Sequence, residues 1–319
     1  MAESVLKTEG LTKRYGALTA VCDLGLEVYE GEVFGLLGPN GAGKTTSINM
    51  ICGLLKPDAG QVWVRGVPVT GGSDQVRRRV GVCPQDIVLW ERLTCLEQLQ
   101  FMGQMYGLSG RQARQRGQQM LDELDLAAKG NKQARTLSGG MKRRLNLAMA
   151  LVHDPEIAVL DEPEAGLDPQ SRVKVREYIQ SLARSRTRTV ILTTHNMDEA
   201  ERLADRVAII DRGRLLALDS PEALKRHIGE GDVVEIGLDA PADPGPLAVA
   251  ALDGLRLAAQ AQVNEGQDLL AIRALNAAGM LPAILAALEA AGVQAGEVHI
   301  RHNTLEDVFI RLTGRGLRE

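Results

Sequence analysis

Residues 38–45 read Gly38-Pro39-Asn40-Gly41-Ala42-Gly43-Lys44-Thr45. This stretch matches the pattern G-x-x-x-x-G-K-[ST], in which glycines let the backbone come close to phosphate groups. The apolar run Val33–Leu37 comes directly before it and predicts a buried strand. A helix is predicted to follow, and its positive N-terminal end points at the same place. The stretch therefore predicts a phosphate-binding loop between a strand and a helix.

The side chains of this loop indicate a nucleotide bound with Mg²⁺. Lys44 can reach the β- and γ-phosphates, and the Thr45 hydroxyl can ligate the metal ion. Thr46 is predicted to make a secondary contact. The predicted nucleotide-binding residues of the loop are Gly38, Pro39, Asn40, Gly41, Ala42, Gly43, Lys44, Thr45 and Thr46.

A second predicted strand, Ile157–Leu160, ends in the adjacent acids Asp161 and Glu162. Ligands of open α/β sheets bind at the carboxyl ends of the strands. Successive side chains of a strand point in opposite directions, so the two acids can have different roles. Asp161 is predicted to hold Mg²⁺ through water and Glu162 to polarise an attacking water. The alternative is a solvated pair of acids at a strand end.

The composition is that of a globular protein with about two domains. The chain has 319 residues and a net charge of −4. Positive and negative charges are too nearly equal for a protein that binds nucleic acid over much of its surface. Aromatic residues make up only 3%, which argues against stacking platforms for single-stranded nucleic acid. Residues 1–228 alternate apolar runs with helical segments, as parallel α/β sheets do, and residues from about 86 to 150 are predicted to be mainly helical. Within this stretch, Thr94-Cys95-Leu96-Glu97 is a candidate capping box, and residues 121–126 continue the helical pattern.

Residues 229–319 are predicted to form a small α+β domain. From residue 231 to residue 300 there are 18 alanines, no lysine, nine acids and two bases. The pattern predicts strands at 269–275 and 298–301, with an apolar helix between them. The segment Thr304-Leu305-Glu306-Asp307 carries a helix-capping signal, and Gly314 is a suitable end for that helix.

The decisive resemblance is carried by Leu137-Ser138-Gly139-Gly140-Met141, some twenty residues before Asp161. This segment lies between the phosphate-binding loop and the strand that ends in Asp161 and Glu162. With the three features in that order, residues 5–228 resemble the ATP-binding-cassette (ABC) ATPases, which implies an ABC-type P-loop core with a helical subdomain. The resemblance implies that Ser138, Gly139 and Gly140 bind the γ-phosphate of a nucleotide held by the other subunit. A head-to-tail dimer that sandwiches ATP and Mg²⁺ is therefore expected.

Four further positions match the family. Tyr15 is similar to its adenine-stacking aromatic residue, and Gln85 to its loop glutamine that touches Mg²⁺ and senses the membrane partner. His195, after the predicted strand Thr189–Thr194, is similar to its γ-phosphate histidine. Asp168 is similar to the anchor of its interface loop. The catalytic set implied by the resemblance is Glu162, His195 and Gln85, and the metal set is Thr45, Gln85 and Asp161.

One position departs from the family pattern. Glu164 occupies a place where Thr, Ser or Asn is usual. Its charge could repel phosphate or shift the pKa of Glu162, or its side chain could point to solvent. The basic clusters, among them Lys142-Arg143-Arg144, are interpreted as solvated helix faces.

The expected function is that of an ATP-hydrolysing subunit of an ABC exporter, because Met141 and the segment from Thr304 to Arg315 resemble the drug-resistance group. Such a subunit is expected on the cytoplasmic face of the membrane, as a dimer bound to a separate multi-spanning permease and without nucleic acid. The alternatives are a soluble ABC ATPase acting on ribosomes or nucleic acid, a non-hydrolysing regulatory subunit and an importer subunit.

Overall fold

The computed structural model describes residues 3–69, 74–184, 188–227, 231–239, 244–255, 261–264, 268–274 and 277–314. The chain divides into two compact units, one that extends to Pro221 and one that begins at Glu222. The residues on either side of the boundary predicted between 228 and 229 lie outside the described part of the chain.

The described strands of the first unit form two sheets. These strands are β1 (Ser4–Tyr15), β2 (Leu18–Tyr29), β3 (Val33–Leu37), β4 (Ala59–Val64), β5 (Val67–Pro68), β6 (Val80–Cys83), β7 (Ile157–Asp161), β8 (Thr189–Thr194), β9 (Arg206–Asp211) and β10 (Arg214–Asp219). The smaller sheet is antiparallel and has the order β2-β1-β4-β5.

The central sheet has the order β10-β9-β3-β8-β7-β6, and its strands are parallel except for β10. Strands β3, β7 and β8 are buried along their whole length, as apolar strands covered on both faces are. Leu37 pairs with Thr194, and Asp161 pairs with Thr193. The carboxyl ends of β3, β8 and β7 therefore lie level with one another at one edge of the sheet.

The helices of this unit follow the predicted pattern. They are α1 (Lys44–Ile51), α2 (Asp74–Arg79), α3 (Cys95–Met105), α4 (Gly110–Glu123), α5 (Gly139–Leu151), α6 (Pro169–Arg184) and α7 (Met197–Leu203). The predicted capping box of α3 is present, because Thr94 and Glu97 bond to each other's backbone N–H groups. Leu99, Met120 and Leu145 pack in the core shared by α3, α4 and α5.

The second unit contains an antiparallel sheet with the order β12-β13-β11-β14 in its described part. Its elements, starting at the boundary, are α8 (Pro221–His227), β11 (Asp232–Asp239), α9 (Pro244–Ala251), β12 (Ala261–Val263), β13 (Leu269–Ala274), α10 (Ala277–Ala290), β14 (Gln294–His302) and α11 (Leu305–Thr313). Ile284 and Leu288 of α10 pack in one core with Leu270 of β13, as the apolar pattern predicts. Thr304 caps α11, and Gly314 ends it in the left-handed conformation.

Substitution of Gly81 in β6 tests the close packing of α5 against the central sheet. A Cβ atom at this position would lie 2.2 Å from the carbonyl oxygen of Ala150 and 2.7 Å from Cγ of Pro155. We expect Gly81→Ala to destabilise the first unit by roughly 1–3 kcal/mol, the usual cost of overpacking. Gly25→Ala is the control, because its Cβ would meet only the Thr8 carbonyl oxygen, at 3.7 Å. Equal melting temperatures of the two variants would contradict this packing.

Candidate functional site

A cavity of about 760 Å³ opens at the loop between β3 and α1. Pockets of this size hold small-molecule ligands such as nucleotides. The predicted residues that line it are Tyr15, Asn40, Gly41, Gly43, Lys44, Thr45, Thr46, Gln85 and Glu162. Leu18, Thr19, Ala20 and Arg212 also line it and were not predicted from the sequence, because no motif marks them.

Two glycines of the loop have no room for a side chain. A Cβ atom on Gly38 would lie 2.3 Å from the carbonyl oxygen of Ile210. Gly43 has a φ of 102°, and its Cβ would lie 2.5 Å from the carbonyl oxygen of Ala20. The loop can therefore keep its backbone N–H groups open to an anion only with glycine at these positions.

Lys44 is buried at the base of this loop. Its ammonium group donates hydrogen bonds to the carbonyl oxygens of Gly38 at 2.8 Å and Pro39 at 3.1 Å. Burial lowers the pKa of Lys44, while the nearby carboxylate of Glu162 acts in the opposite direction. Ala42 is also buried, and its N–H donates to the Pro39 carbonyl oxygen, which closes the turn of the loop.

The carboxylate of Glu162 lies where the three parallel strands end. Its oxygens are 3.4 Å from Nζ of Lys44, 3.1 Å from Nδ1 of His195 and 3.3 Å from Nε2 of Gln85. The Glu162 side chain is only 8% exposed, whereas that of His195 is 51% exposed. Side chains from three other segments therefore meet at the Glu162 carboxylate, on the rim of the cavity.

Asp161 is buried on the strand side of Glu162. One of its carboxylate oxygens accepts a hydrogen bond of 2.5 Å from the Thr193 hydroxyl. The Thr193 oxygen also accepts the backbone N–H of Glu162 at 2.9 Å. This threonine of β8 thus links the two acids at the end of β7.

The residues of the Ser138-Gly139-Gly140 segment lie apart from this cavity. Ser138 caps α5 by accepting the N–H of Met141, and Asp168 accepts the N–H of Ser171 at the start of α6. A Cβ atom on Gly140 would lie 2.0 Å from Oγ of Ser171, so the two helix N-termini are in close contact. In the described part of the chain, none of Ser138, Gly139, Gly140 and Asp168 lines the cavity.

Comparison with known proteins gives the family. Residues 21–165 match the model of the ABC transporter family. Over 98% of its length the chain is 39% identical to a daunorubicin resistance ATP-binding protein of Streptomyces coeruleorubidus, and it covers 97% of that protein. It is 40% identical to a Nod factor export ATP-binding protein of Ralstonia nicotianae, with 99% of this chain and 95% of the relative covered. The chain belongs to the ABC transporter ATP-binding subunits.

Solved structures agree with this family. A structure of the ATP-binding subunit of an ABC transporter is 30% identical, has a TM-score of 0.65 and covers 70% of this chain and 93% of its own. A dimeric ATP-binding cassette in a post-hydrolysis state with ADP and Pi is 27% identical, with a TM-score of 0.62. It covers 67% of this chain and 98% of its own.

The relatives and the neighbouring structures confirm several sequence-based predictions. The fold is the α/β P-loop core of ABC ATPases, and the protein is an ATP-binding, ATP-hydrolysing subunit of an ABC exporter. Such a subunit works with a membrane permease and dimerises.

The interpretation of Lys142-Arg143-Arg144 as a solvated face is wrong for Arg143 and Arg144. Both side chains are buried and donate to backbone carbonyl oxygens. The sequence signal for their burial is the apolar run that follows Arg144, because a helix that is apolar on all sides is packed on all sides. Every residue from Arg143 to Leu151 is buried.

Glu164 neither faces the nucleotide cavity nor points to solvent. It is buried, and its two carboxylate oxygens accept hydrogen bonds of 3.0 and 2.7 Å from the guanidinium of Arg176 on α6. A bidentate pair of this kind fixes the geometry of both groups. The departure from the family pattern is therefore accommodated by a partner twelve residues further along the chain.

Glu199 of α7 is a buried acid that sequence analysis missed. One carboxylate oxygen accepts the Thr194 hydroxyl at 2.6 Å, and the other has no hydrogen-bond partner. Burial, and to a smaller degree the charges of Glu164 and Glu162, raise the pKa of Glu199 to about 7. Thr194 and Arg176 oppose this shift. The group therefore exchanges a proton near neutral pH, next to the strand end that carries His195.

The raised pKa predicts a pH-dependent stability. A carboxyl group that binds its proton more tightly in the folded state makes folding less favourable as the pH rises from about 4.5 to about 7. Above this range the loss is about 3 kcal/mol. We expect Glu199→Gln, which stays neutral, to gain thermal stability relative to the wild type when both are melted at pH 8 instead of pH 5.5. Asp198→Asn, at an exposed neighbour, is the control. Parallel pH profiles for wild type and Glu199→Gln would show that Glu199 carries no such shift.

Proposed function

We propose that this protein binds ATP with Mg²⁺ in the cavity beside Lys44 and hydrolyses it with Glu162 as the general base. The observation that carries the proposal is the position of the Glu162 carboxylate, which contacts Lys44, Gln85 and His195 at the rim of the cavity. A base in this position can accept a proton from a water that attacks the γ-phosphate. His195 and Lys44 would stabilise the negative charge that the phosphate develops.

The residues at the end of β7 fit a Mg²⁺ ion that is bound together with the nucleotide. Mg²⁺ prefers oxygen ligands and is usually held by one or two carboxylates plus substrate phosphates. Asp161, Thr45 and Gln85 offer such oxygens. The described residues contain no cluster of three or more His, Cys, Asp or Glu that could hold a metal alone, so the phosphates would complete the site. The ion would neutralise phosphate charge during transfer.

The working form proposed here is a head-to-tail dimer with ATP between the subunits. The supporting observation is the separation of the predicted binding residues within one chain, since Ser138, Gly139 and Gly140 form a helix N-terminus away from the cavity. A helix N-terminus with free N–H groups suits an anion, here the γ-phosphate held by the second subunit.

Glu162→Gln separates binding from hydrolysis. The amide keeps the shape of the carboxylate but cannot take the proton, so we expect turnover to fall by about 10²–10⁴-fold while ATP still binds. The variant is expected to accumulate as an ATP-bound dimer in size-exclusion chromatography. Lys44→Ala is the contrast, because it should weaken ATP binding itself. Turnover like that of the wild type in Glu162→Gln would exclude Glu162 as the base.

A permease docking surface is proposed around the segment that follows Gln85. Five large apolar side chains are exposed there, on that segment and on α3: Ile87, Val88, Trp90, Phe101 and Met105. The rings of Trp90 and Phe101 meet edge to face at 5.1 Å, which holds the surface in a defined shape. Exposed apolar clusters of this kind mark interaction sites. Gln85 contacts Glu162, and the docking surface begins at Ile87, two residues after Gln85. A partner bound to this surface would therefore be close to the hydrolytic site along the chain.

The proposed location is the cytoplasmic face of the membrane, through the permease. In the part of the chain that the structure describes, none of the helices has the length and apolar character needed to cross a bilayer. The names of the relatives concern daunorubicin resistance and Nod factor export, and they favour export over import for this chain. The bound permease would determine the cargo.

Met105→Asp tests the docking surface. Met105 is 69% exposed, so the change should leave the fold and the basal ATPase activity intact while placing a charge in the apolar surface. We expect less multi-spanning membrane protein to co-purify with this variant from native membranes, measured by quantitative mass spectrometry. Leu54→Asp is the matched control, since Leu54 is 67% exposed and lies outside the surface. Equal recovery with both variants would refute this docking site.

The pairing of Glu164 bears on the non-hydrolysing alternative. An unpaired carboxylate beside Glu162 would disfavour phosphate binding, but Arg176 neutralises Glu164 by a bidentate pair. The departure at position 164 therefore gives no reason to expect an inactive subunit.

A further inference from the structure

Arg143 has an unusual environment for a charged side chain. It lies on α5, is 2% exposed, and donates every one of its guanidinium N–H groups to a backbone carbonyl oxygen. The acceptors are Pro84 at 2.7 Å, Gln85 at 2.9 Å, Asp161 at 2.8 Å, Glu162 at 2.7 Å and Pro163 at 3.1 Å. One side chain thus binds two segments that are about 75 residues apart in the sequence.

Three of these acceptors surround a strained residue. Glu162 has a φ of 45°, which places a non-glycine residue in the left-handed region of the backbone. Such conformations persist where the surroundings fix them, and they occur often at functional sites. Arg143 binds the carbonyl oxygens just before, at and just after this residue, while Thr193 accepts the Glu162 N–H. The peptide groups on both sides of Glu162 are therefore held.

The other two acceptors belong to the segment that carries Gln85. Because the same guanidinium holds the carbonyl oxygens of Pro84 and Gln85, it fixes the backbone of that segment relative to the backbone of Glu162. Nε2 of Gln85 also donates a hydrogen bond of 3.3 Å to the carboxylate of Glu162. Arg143 is also only five residues after Ser138, the N-cap of the same helix.

We propose that Arg143 is a positioning residue for ATP hydrolysis, which holds the backbone of Glu162 and of Gln85 so that their side chains meet at the attacking water. This inference rests on the proposed role of Glu162 as the base. Arg143 acts through Glu162 and touches neither ATP nor the water. It also gives α5, whose N-terminus faces the second subunit in the proposed dimer, a direct connection to the base.

Arg143→Lys is the first test. Lysine keeps the positive charge but offers a single donor group in place of the planar fork, so it cannot hold five carbonyl oxygens. We expect kcat to fall by about 10²-fold, as small misplacements of catalytic groups do, with KM for ATP changed less than about threefold. An unchanged kcat would overturn the proposal.

Arg144→Lys is the matched control. Arg144 is the next residue of the same helix, is buried, and donates to the carbonyl oxygens of Leu124 at 2.6 Å and Asp125 at 3.0 Å, outside the hydrolytic site. A general effect of replacing a buried arginine would lower the melting temperature of both variants. The proposal expects the loss of kcat in Arg143→Lys alone, and an equal loss in both variants would overturn it.

A double-mutant cycle with Glu162→Gln decides whether Arg143 acts through Glu162. If it does, Arg143→Lys should lower turnover less than about threefold further when Glu162 is already Gln. A further loss of about 10²-fold would show that Arg143 acts independently and would overturn the inference. If Glu162→Gln alone turns over ATP like the wild type, it is the proposed base that fails.

ATP binding, measured with a fluorescent nucleotide, provides the test of folding for these variants. Arg143→Gln is the second variant, because it removes the charge and keeps one amide donor group. We expect both Arg143 variants to bind ATP within about threefold of the wild-type affinity. Loss of ATP binding in both would assign Arg143 a purely structural role and overturn the proposal.

Discussion

The hydrolytic site depends on the parallel pairing of β3, β8 and β7. The register of this pairing brings the ends of the three strands level, so that the phosphate-binding loop, the Asp161–Glu162 pair and His195 leave the sheet at the same edge. Each strand alone would place one functional group. Only their alignment lets the carboxylate of Glu162 contact Lys44 and His195 at distances of 3.1–3.4 Å.

Around this edge, polar groups are buried in arrangements that satisfy one another. Thr193 links Asp161 to the Glu162 backbone, Arg143 binds the carbonyl oxygens on both sides of Glu162, and Arg176 neutralises Glu164. Buried polar groups are costly when unpaired, so such a network restricts the site to one geometry. Glu199 is the exception, since one of its oxygens lacks a hydrogen-bond partner, and burial raises its pKa.

Local patterns predicted the local structure well. The apolar runs gave β3, β7 and β8, the capping box at Thr94 gave the start of α3, and the glycine-rich loop was placed by its own motif. Helix α4 ends at Glu123, although a helical pattern was predicted through Leu126, because Asp125 takes the left-handed conformation. The apolar residues around Arg143 indicate its burial, but its hydrogen bonds to residues 84, 85 and 161–163 could not be predicted, since these acceptors lie 18 to 59 residues away in the sequence.

In the proposed dimer, each hydrolytic site takes its phosphate-binding loop from one subunit and Ser138 from the other. Mixing the Lys44→Ala and Ser138→Arg proteins tests this arrangement, because a head-to-tail heterodimer would contain one site with both defects and one intact site. Each variant alone should be inactive, and the equimolar mixture should regain about one quarter of wild-type ATPase activity, given random pairing and one active site per mixed dimer. A mixture as inactive as either protein alone would contradict the shared site.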